Sequence, residues 1–324
     1  MSLFLQVIPE WFELISLAGS FGVLVLSLWV VPQATGDGAS GQASLLAPMW
    51  RLLAICAATL LASSILGLLV RSAEMSGSPV TGVLPVVPTV LLRTHYGHTW
   101  ILRWVAIAVL ALVEMLVRGS RPSRPSSYAM LGCALVVSAM DSASGHPSDA
   151  GDLGVGELMD WLHLVPALVW GGGLLVLASA ILPPLVKPGD RAAHSMAGTA
   201  SRFSRIAGGA VGFIALTAPY QTRAYGGGFE ELVQSPYGRI LVAKIVLFLL
   251  LLALGALNRY ISVPRLHEWA VSATQPVAAA QFTRTVKFEA LLVAAVLLCA
   301  AVLRHEVPSR HPAQHDHHPM AAVR

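Results

Sequence analysis

The 324 residues are 55% hydrophobic and 12% charged, with a formal net charge of +4, whereas soluble domains carry about twice that charged fraction. The composition excludes an ordinary soluble protein. Because the apolar residues come in runs long enough to cross a bilayer, it predicts a multi-pass membrane protein. The Lys and Arg residues lie in short connections between these runs, which argues against nucleic acid as a partner.

At about 20 apolar residues per crossing, the sequence predicts an all-α transmembrane helix bundle of about eight spans. The spans are expected near residues 11–32, 49–71, 99–118, 127–144, 157–182, 202–222, 239–260 and 283–304. The run from Leu14 to Val31 lacks a basic leader and a small-residue cleavage site, so we interpret it as a retained span. Residues 78–98 are rich in Pro and Gly and predict an ordered extramembrane loop with one short helix.

Basic residues orient the spans, because cytoplasmic connections carry the excess of Lys and Arg. The connections after the third, fifth and seventh spans are the basic ones, whereas the connection after the fourth has Asp149, Asp152 and His146 and no Lys or Arg. Both termini are therefore predicted on the outer, periplasmic side. The first connection, 33–48, has no basic residue, and only the nearby Arg51 supports its cytoplasmic placement.

The two halves of the chain resemble each other weakly, which predicts two four-helix pseudo-repeats. The matching positions are Glu10-Trp11 with Asp160-Trp161, Gly22 with Gly172, Tyr96-Gly97 with Tyr237-Gly238, and Arg103 with Lys244. Four spans return the chain to its starting side, so the repeat would run parallel about the membrane normal. We divide the chain into an N-terminal half, 1–150, a C-terminal half, 151–305, and a His-rich tail, 306–324.

The fifth span contains a histidine at membrane depth, where ionisable residues usually indicate function. Met159 and Asp160 precede His163 by four and three residues, so the three side chains share one helix face. Pro166 would bend the helix beside His163, and Gly171-Gly172-Gly173 would allow a neighbouring helix to approach closely. A thioether, an imidazole and a carboxylate on one wall are groups that bind transition metals.

In the predicted orientation, further candidate ligands gather at the outer face. The candidate metal ligands are His163, His146, Met159, Met140, His95, His98 and Asp160. Thioether and imidazole together suit a copper ion, Cu(I) or Cu(II), and Met favours the cuprous state. The alternative is ordinary structure, since Met fills gaps in apolar cores, loop histidines are often solvated and a buried histidine needs only a hydrogen-bond partner.

Two further groups of residues are candidates for conducting or capturing metal ions. The cysteines Cys56, Cys133 and Cys299 all fall inside apolar runs and are odd in number, which argues against a disulfide framework. By the predicted topology Cys299 lies in the outer third of the bundle, Cys133 near the middle and Cys56 in the inner third, which makes them a candidate path for cuprous ion. The alternative is that each is a small buried hydrophobe. The tail holds His311, His315, His317 and His318, a tract typical of metal capture or of a solvated terminus.

The sequence contains no Walker loop, so any transport would not use an ATP site on this chain. Nothing in the pattern indicates hydrolytic or nucleotide chemistry. We therefore expect a transporter and not an enzyme.

Five segments in order resemble the copper resistance protein D (CopD) family. They are Ser144-Gly145-His146; Asp160-Trp161-Leu162-His163 with Trp170-Gly171-Gly172; Arg202-Phe203-Ser204; Tyr237-Gly238-Arg239 through Lys244 to Asn258-Arg259; and the last span with Glu289. Together they cover about residues 144–304, and the segment from Tyr96-Gly97 to Arg103 fits the family's less distinctive first half. Pro147 stands where the family often has Ala.

The resemblance implies a copper-handling protein of the bacterial inner membrane, usually proposed to move copper from periplasm to cytoplasm. It also implies a separate periplasmic copper-binding partner of the CopC type, and it supports His146 and His163 as functional positions. Two alternatives stay open. One is a b-type membrane cytochrome in electron transfer, with haem b between histidines on facing helices. The other is a copper sensor or assembly factor that passes metal on without translocation.

Overall fold

The computed structural model describes residues 3–34, 39–118, 123–144, 154–185, 190–225, 229–272 and 276–306, and no strand occurs in these ranges. The helices are α1 Leu3–Trp29, α2 Val31–Ala34, α3 Ala39–Ser76, α4 Val87–Arg93, α5 His95–Val117, α6 Arg124–Ser142, α7 Val155–Val176, α8 Leu182–Leu185, α9 Asp190–Tyr225, α10 Phe229–Gln234, α11 Pro236–Leu257, α12 Val263–Ser272 and α13 Pro276–Leu303. Single π-helical turns, Leu177–Ile181 and Asn258–Ser262, join α7 to α8 and α11 to α12.

The polytopic helical bundle predicted from composition is confirmed. In the described ranges, six helical segments are long and apolar enough to cross a membrane. These segments are Leu3–Trp29, Leu45–Ser76, His95–Val117, Val155–Leu185, Pro236–Val271 and Val277–Leu303. The long helices α6 and α9 lie where the fourth and sixth spans were expected, but they are more polar. The count of eight spans and the side of each terminus stay predictions.

The loop predicted at 78–98 contains a 3-10 turn, Val80–Gly82, and the short helix α4. The loop ends before residue 98 because Thr94 caps the start of α5. The Thr94 hydroxyl accepts a hydrogen bond from the Gly97 amide at 2.9 Å. The helix α11 begins in the same way, with Ser235 accepting from the Gly238 amide at 2.9 Å. The Tyr-Gly pairs that match between the halves therefore occupy the first turns of two similarly capped helices.

The matching helices α1 and α7 cross at the centre of the bundle, and α1 is the most buried of the candidate spans. The crossing is close because Gly22 and Gly172 face each other without side chains. A Cβ atom at Gly172 would overlap the carbonyl oxygen of Ala18, and one at Gly22 would overlap the carbonyl group of Gly172. Small residues allow helix backbones to approach in this way inside membranes. The close approach predicted for the glycine triplet is confirmed at this crossing.

Gly172→Ala is expected to destabilise the protein by about 1–3 kcal/mol, because overpacking forces the two helices apart. Gly209→Ala is the matched control, since Gly209 is exposed on α9 and a Cβ there meets no neighbour within 4 Å. The midpoint of unfolding in detergent, followed by tryptophan fluorescence, measures both variants. Equal midpoints would show that the crossing tolerates a methyl group.

The two halves differ in how their second and third long helices meet. In the N-terminal half, α3 packs against α5, with Trp100 against Gly67 and a hydrogen bond of 2.9 Å from Trp104 Nε1 to Ser64 Oγ. In the C-terminal half, the described parts of the corresponding helices α9 and α11 make almost no direct contact. Cavities occupy the space between them.

Candidate functional site

A cavity of about 240 Å³ lies between α7, α9, α11 and α13, at the end of the bundle predicted to face outward. Most of its wall is aliphatic or aromatic. The polar side chains on the wall are Asp160, His163, Gln221, Thr222, Tyr237, Lys244 and Arg304. We call this space the outer cavity. It brings two of the predicted site residues, Asp160 and His163, together with polar groups from three other parts of the chain.

His163 is oriented by a hydrogen bond of 2.9 Å between Nδ1 and the hydroxyl oxygen of Thr217. That hydroxyl donates its proton to the Phe213 carbonyl oxygen, 2.9 Å away, so its oxygen accepts from the ring. Nδ1 is then the protonated nitrogen, and Nε2 keeps its lone pair. Histidines that bind metals commonly donate the other ring N–H to a neighbouring oxygen in this way. The bond to Thr217 thus leaves His163 competent as a ligand.

Asp160 is held by different partners. Its carboxylate accepts hydrogen bonds from Ser142 Oγ at 2.5 Å and from Gln221 Nε2 at 3.1 Å. These bonds tie α7 to α6 and α9, and Trp161 Nε1 adds another by donating to Ser138 Oγ at 3.0 Å. The sequence made Asp160 a candidate either to orient His163 or to attract a cation. The partner observed to orient His163 is Thr217.

Lys244 contributes a cationic group from an otherwise apolar stretch of α11. In the described part of the chain its amine has no hydrogen bond and no ion pair within 4 Å, and Asp160 is the carboxylate that attracts it electrostatically. In the sequence, Lys244 was noted only because it matches Arg103 in the other half and belongs to a segment that resembles the family. It was overlooked as a site residue. A lysine inside an apolar run was the available signal.

Arg304 connects the outer cavity to a buried ionic network. It pairs with Glu10 at 2.5 Å and with Asp141, while Arg103 pairs with Asp141 at 2.9 Å and with Glu13. The network joins α1, α5 and α6 to the end of α13. The carboxylates of Glu10 and Asp141 lie directly against the Arg304 guanidinium and stabilise its charge. Arg304 therefore stays charged at the cavity wall.

A second cavity of about 210 Å³, here called the inner cavity, lies deeper between the same four helices. Its polar wall residues are Ser204, Asn258, Arg259, Tyr260 and Glu289. Trp170 lines both cavities. Glu289 is 2% exposed and accepts a hydrogen bond of 2.9 Å from Asn258 Nδ2.

The remaining predicted ligands are dispersed. His95 and His98 are exposed in the first turn of α5, and Met140 and Met159 are half-buried but do not line the outer cavity. His146 lies outside the described residues, as do the tail positions His311, His315, His317 and His318. In the described ranges no group of three or more His, Cys, Asp or Glu side chains could hold a metal ion. The predicted ligand set stays a prediction.

The cysteines are dispersed over three helices, and only Cys299 lies near a cavity residue, Lys244. Cys56 is buried on α3 beside Gly19, and Cys133 and Cys299 are half-buried on α6 and α13. None of the three lines the outer or the inner cavity. Their role as a cuprous path stays a prediction without geometric support.

Two family models match the chain. Residues 1–155 match the model described as Copper resistance protein D-like, N-terminal domain, and residues 197–303 match Copper resistance protein D. The chain belongs to the copper resistance protein D family. This confirms the resemblance seen in the sequence. It also adds a match over the first half of this chain, where the sequence patterns were less distinctive.

Three curated relatives of this CopD-family chain are similar at moderate identity. Copper transport protein CutJ of Bacillus subtilis is 29% identical over 206 residues, which are 60% of this chain and 37% of CutJ. Copper resistance protein D of Pseudomonas syringae pv. tomato is 26% identical, over 75% of this chain and 77% of the relative. Inner membrane protein YebZ of Escherichia coli is 24% identical, over 68% and 71%. No solved structure matches the chain.

The chain thus spans only part of CutJ, and the relatives are named for copper resistance, copper transport or the inner membrane, not for an enzyme activity. Among the described histidines, His163 is the one that lines the outer cavity, and none lines the inner cavity. A haem iron held between two histidines would need a second one there.

Proposed function

We propose that this CopD-family protein takes up copper ions from the periplasm across the bacterial inner membrane, without ATP, through the outer cavity of its C-terminal half. The observation that carries the proposal is His163, a neutral imidazole whose Nε2 keeps its lone pair on a cavity wall inside the bundle. Neutral imidazole is a good copper ligand. Copper is the cargo of this site and not a resident cofactor.

The ligand types around the outer cavity support the cuprous ion. Soft thioether ligands favour Cu(I), and Met159 and Met140 remain the candidates to supply them. The charges on the wall are balanced, because Arg304 pairs with carboxylates and the Lys244 ammonium is opposed by the Asp160 carboxylate.

The outer end of the bundle is where a periplasmic donor would deliver the ion. His95 and His98 are exposed there on α5, and the predicted contributions of His146 and of the tail histidines belong to the same end. We propose a separate copper-binding protein of the CopC type as the donor. The inner cavity favours translocation over a sensor or assembly role, because a protein that only hands copper on in the periplasm has no use for a deeper compartment.

Uptake by proteoliposomes tests the proposed function. Vesicles containing the purified protein are expected to accumulate isotopically enriched copper, supplied as Cu(I) with ascorbate and without ATP, whereas empty vesicles do not. Copper that binds to the protein but never reaches the lumen would favour the sensor or assembly factor. A Soret band at stoichiometric intensity in the purified protein would favour the cytochrome. Either result would overturn the transport proposal.

A further inference from the structure

The outer and inner cavities are stacked along the axis of the four C-terminal helices. On each of these helices the residues that line the outer cavity are followed, further along the helix, by the residues that line the inner cavity. On α9 the outer cavity touches residues 214–222 and the inner cavity residues 200–211; on α13 the corresponding ranges are 293–303 and 282–289. The two spaces are therefore consecutive levels along the same four helices.

Trp170 stands where the two levels meet. It is buried on α7 and lines both cavities. The indole ring meets Phe248 of α11 edge-on, with centroids 5.9 Å apart and an angle of 89° between the planes. An aromatic pair that reaches across the gap between two helices separates the spaces above and below it. The indole face can also attract a passing cation.

The inner cavity contains oxygen atoms suited to a cation. Asn258 donates through Nδ2 to Glu289 Oε2, and this leaves its carbonyl oxygen Oδ1 buried and without a hydrogen-bond partner in the described part of the chain. Gly255 leaves space beside the other oxygen of Glu289, because an added Cβ would still be 3.8 Å from it. The cationic wall residue Arg259 is turned to the Ser204 carbonyl oxygen, 2.8 Å from Nη1. Asn258 also begins a π-helical turn, a feature frequent at functional sites.

We propose that the inner cavity is a second cation site, formed by the Glu289 carboxylate and the Asn258 carbonyl oxygen, and that Trp170 is the barrier between it and the outer cavity. This inference rests on the proposed function and deepens it into a path of two compartments. Carboxylate and amide oxygens bind copper less tightly than imidazole and thioether do. A weaker second site assists release, since conduction requires that an ion leave as readily as it enters.

Cysteine accessibility tests the barrier without relying on transport. In a background with Cys56→Ala, Cys133→Ala and Cys299→Ala, a cysteine is introduced into the outer cavity by Ala218→Cys or into the inner cavity by Ala207→Cys. A cationic, membrane-impermeant methanethiosulfonate added from the outer face is expected to modify the first variant and to spare the second.

Adding Trp170→Ala should raise the rate of modification of the inner cysteine by about tenfold, and Trp170→Phe, which keeps an aromatic ring, should raise it less. Equal rates for the inner and outer cysteines with Trp170 in place would overturn the barrier. So would an unchanged inner rate in a folded, monodisperse Trp170→Ala protein. If that variant does not fold, an unchanged inner rate in Trp170→Phe overturns it instead.

Glu289→Gln tests the inner site. The variant is expected to lower copper uptake into proteoliposomes by about tenfold, the effect of losing one charge-assisted contact. In the detergent-purified protein it should weaken the second, looser phase of copper binding and leave the tighter phase, assigned to the outer cavity, within about twofold of the wild type. Glu268→Gln, the same change at an exposed position on α12, is the matched control. Normal uptake by Glu289→Gln would overturn the inner site but not the proposed function, whereas absent uptake by the wild type would overturn the proposed function itself.

Discussion

His163→Ala is expected to lower copper accumulation by at least about tenfold, because it removes an imidazole on the cavity wall whose Nε2 has no hydrogen-bond partner among the described residues. The measurement is the initial rate of isotopically enriched copper uptake by proteoliposomes with matched protein content. His267→Ala is the control, since His267 is exposed on α12 and lines neither cavity.

Thr217→Val distinguishes a ligand from a structural histidine at position 163. The valine keeps the shape of the side chain but cannot accept the proton of Nδ1, so the ring loses its orientation. Loss of such a partner typically costs about 10–100-fold in metal affinity. If His163 only fills space, Thr217→Val will change the unfolding midpoint and leave copper affinity unaltered. Wild-type uptake by His163→Ala would remove this residue from the transport path.

Arg103→Met is expected to lower the free energy of unfolding by about 3–5 kcal/mol, because it leaves the buried Glu13 carboxylate without its ion-pair partner and removes one of the two arginines that pair with Asp141. Arg103, Glu13 and Asp141 are each at most 2% exposed, and the guanidinium also lies 5.1 Å from the ring centroid of Trp100. Titration with a denaturing detergent, followed by helical circular dichroism, measures the change.

Arg71→Met is the matched control for the ionic network. Arg71 pairs with Glu74 at 3.2 Å, but its side chain is 52% exposed, so the pair contributes at most about 1 kcal/mol. A loss of stability in Arg103→Met no larger than that in Arg71→Met would mean that the network does not hold the outer ends of the helices together. The two variants change the same functional group in environments that differ mainly in burial.

The helical fold could be predicted because lipid leaves the chain few choices. Long apolar runs must satisfy their backbone hydrogen bonds internally, so they form helices. Helix ends were predicted less well, since α3 and α9 continue well beyond the segments expected to lie in the bilayer. Hydropathy reports where the chain prefers lipid, whereas capping groups such as Thr94 determine where a helix starts.

The candidate site was only partly predictable. An imidazole inside a span is visible in the sequence because its cost in lipid is high, and His163 does line a cavity. Thr217 and Gln221 were overlooked because hydroxyl and amide side chains are common in membrane helices, and their partners lie 54 and 61 residues away in the chain. Arg304 was overlooked because its partners come from the other half.

The sequence by itself determined the class of this protein, its helices, its family and the one histidine placed deep in an apolar span, because each depends on local composition or on the order of short motifs. Only the tertiary structure decided that α9 and α11 stand apart and that Trp170 lies between two cavities. It also decided which nitrogen of His163 stays unbound. These features depend on how distant helices pack, and no spacing within a single helix encodes that arrangement.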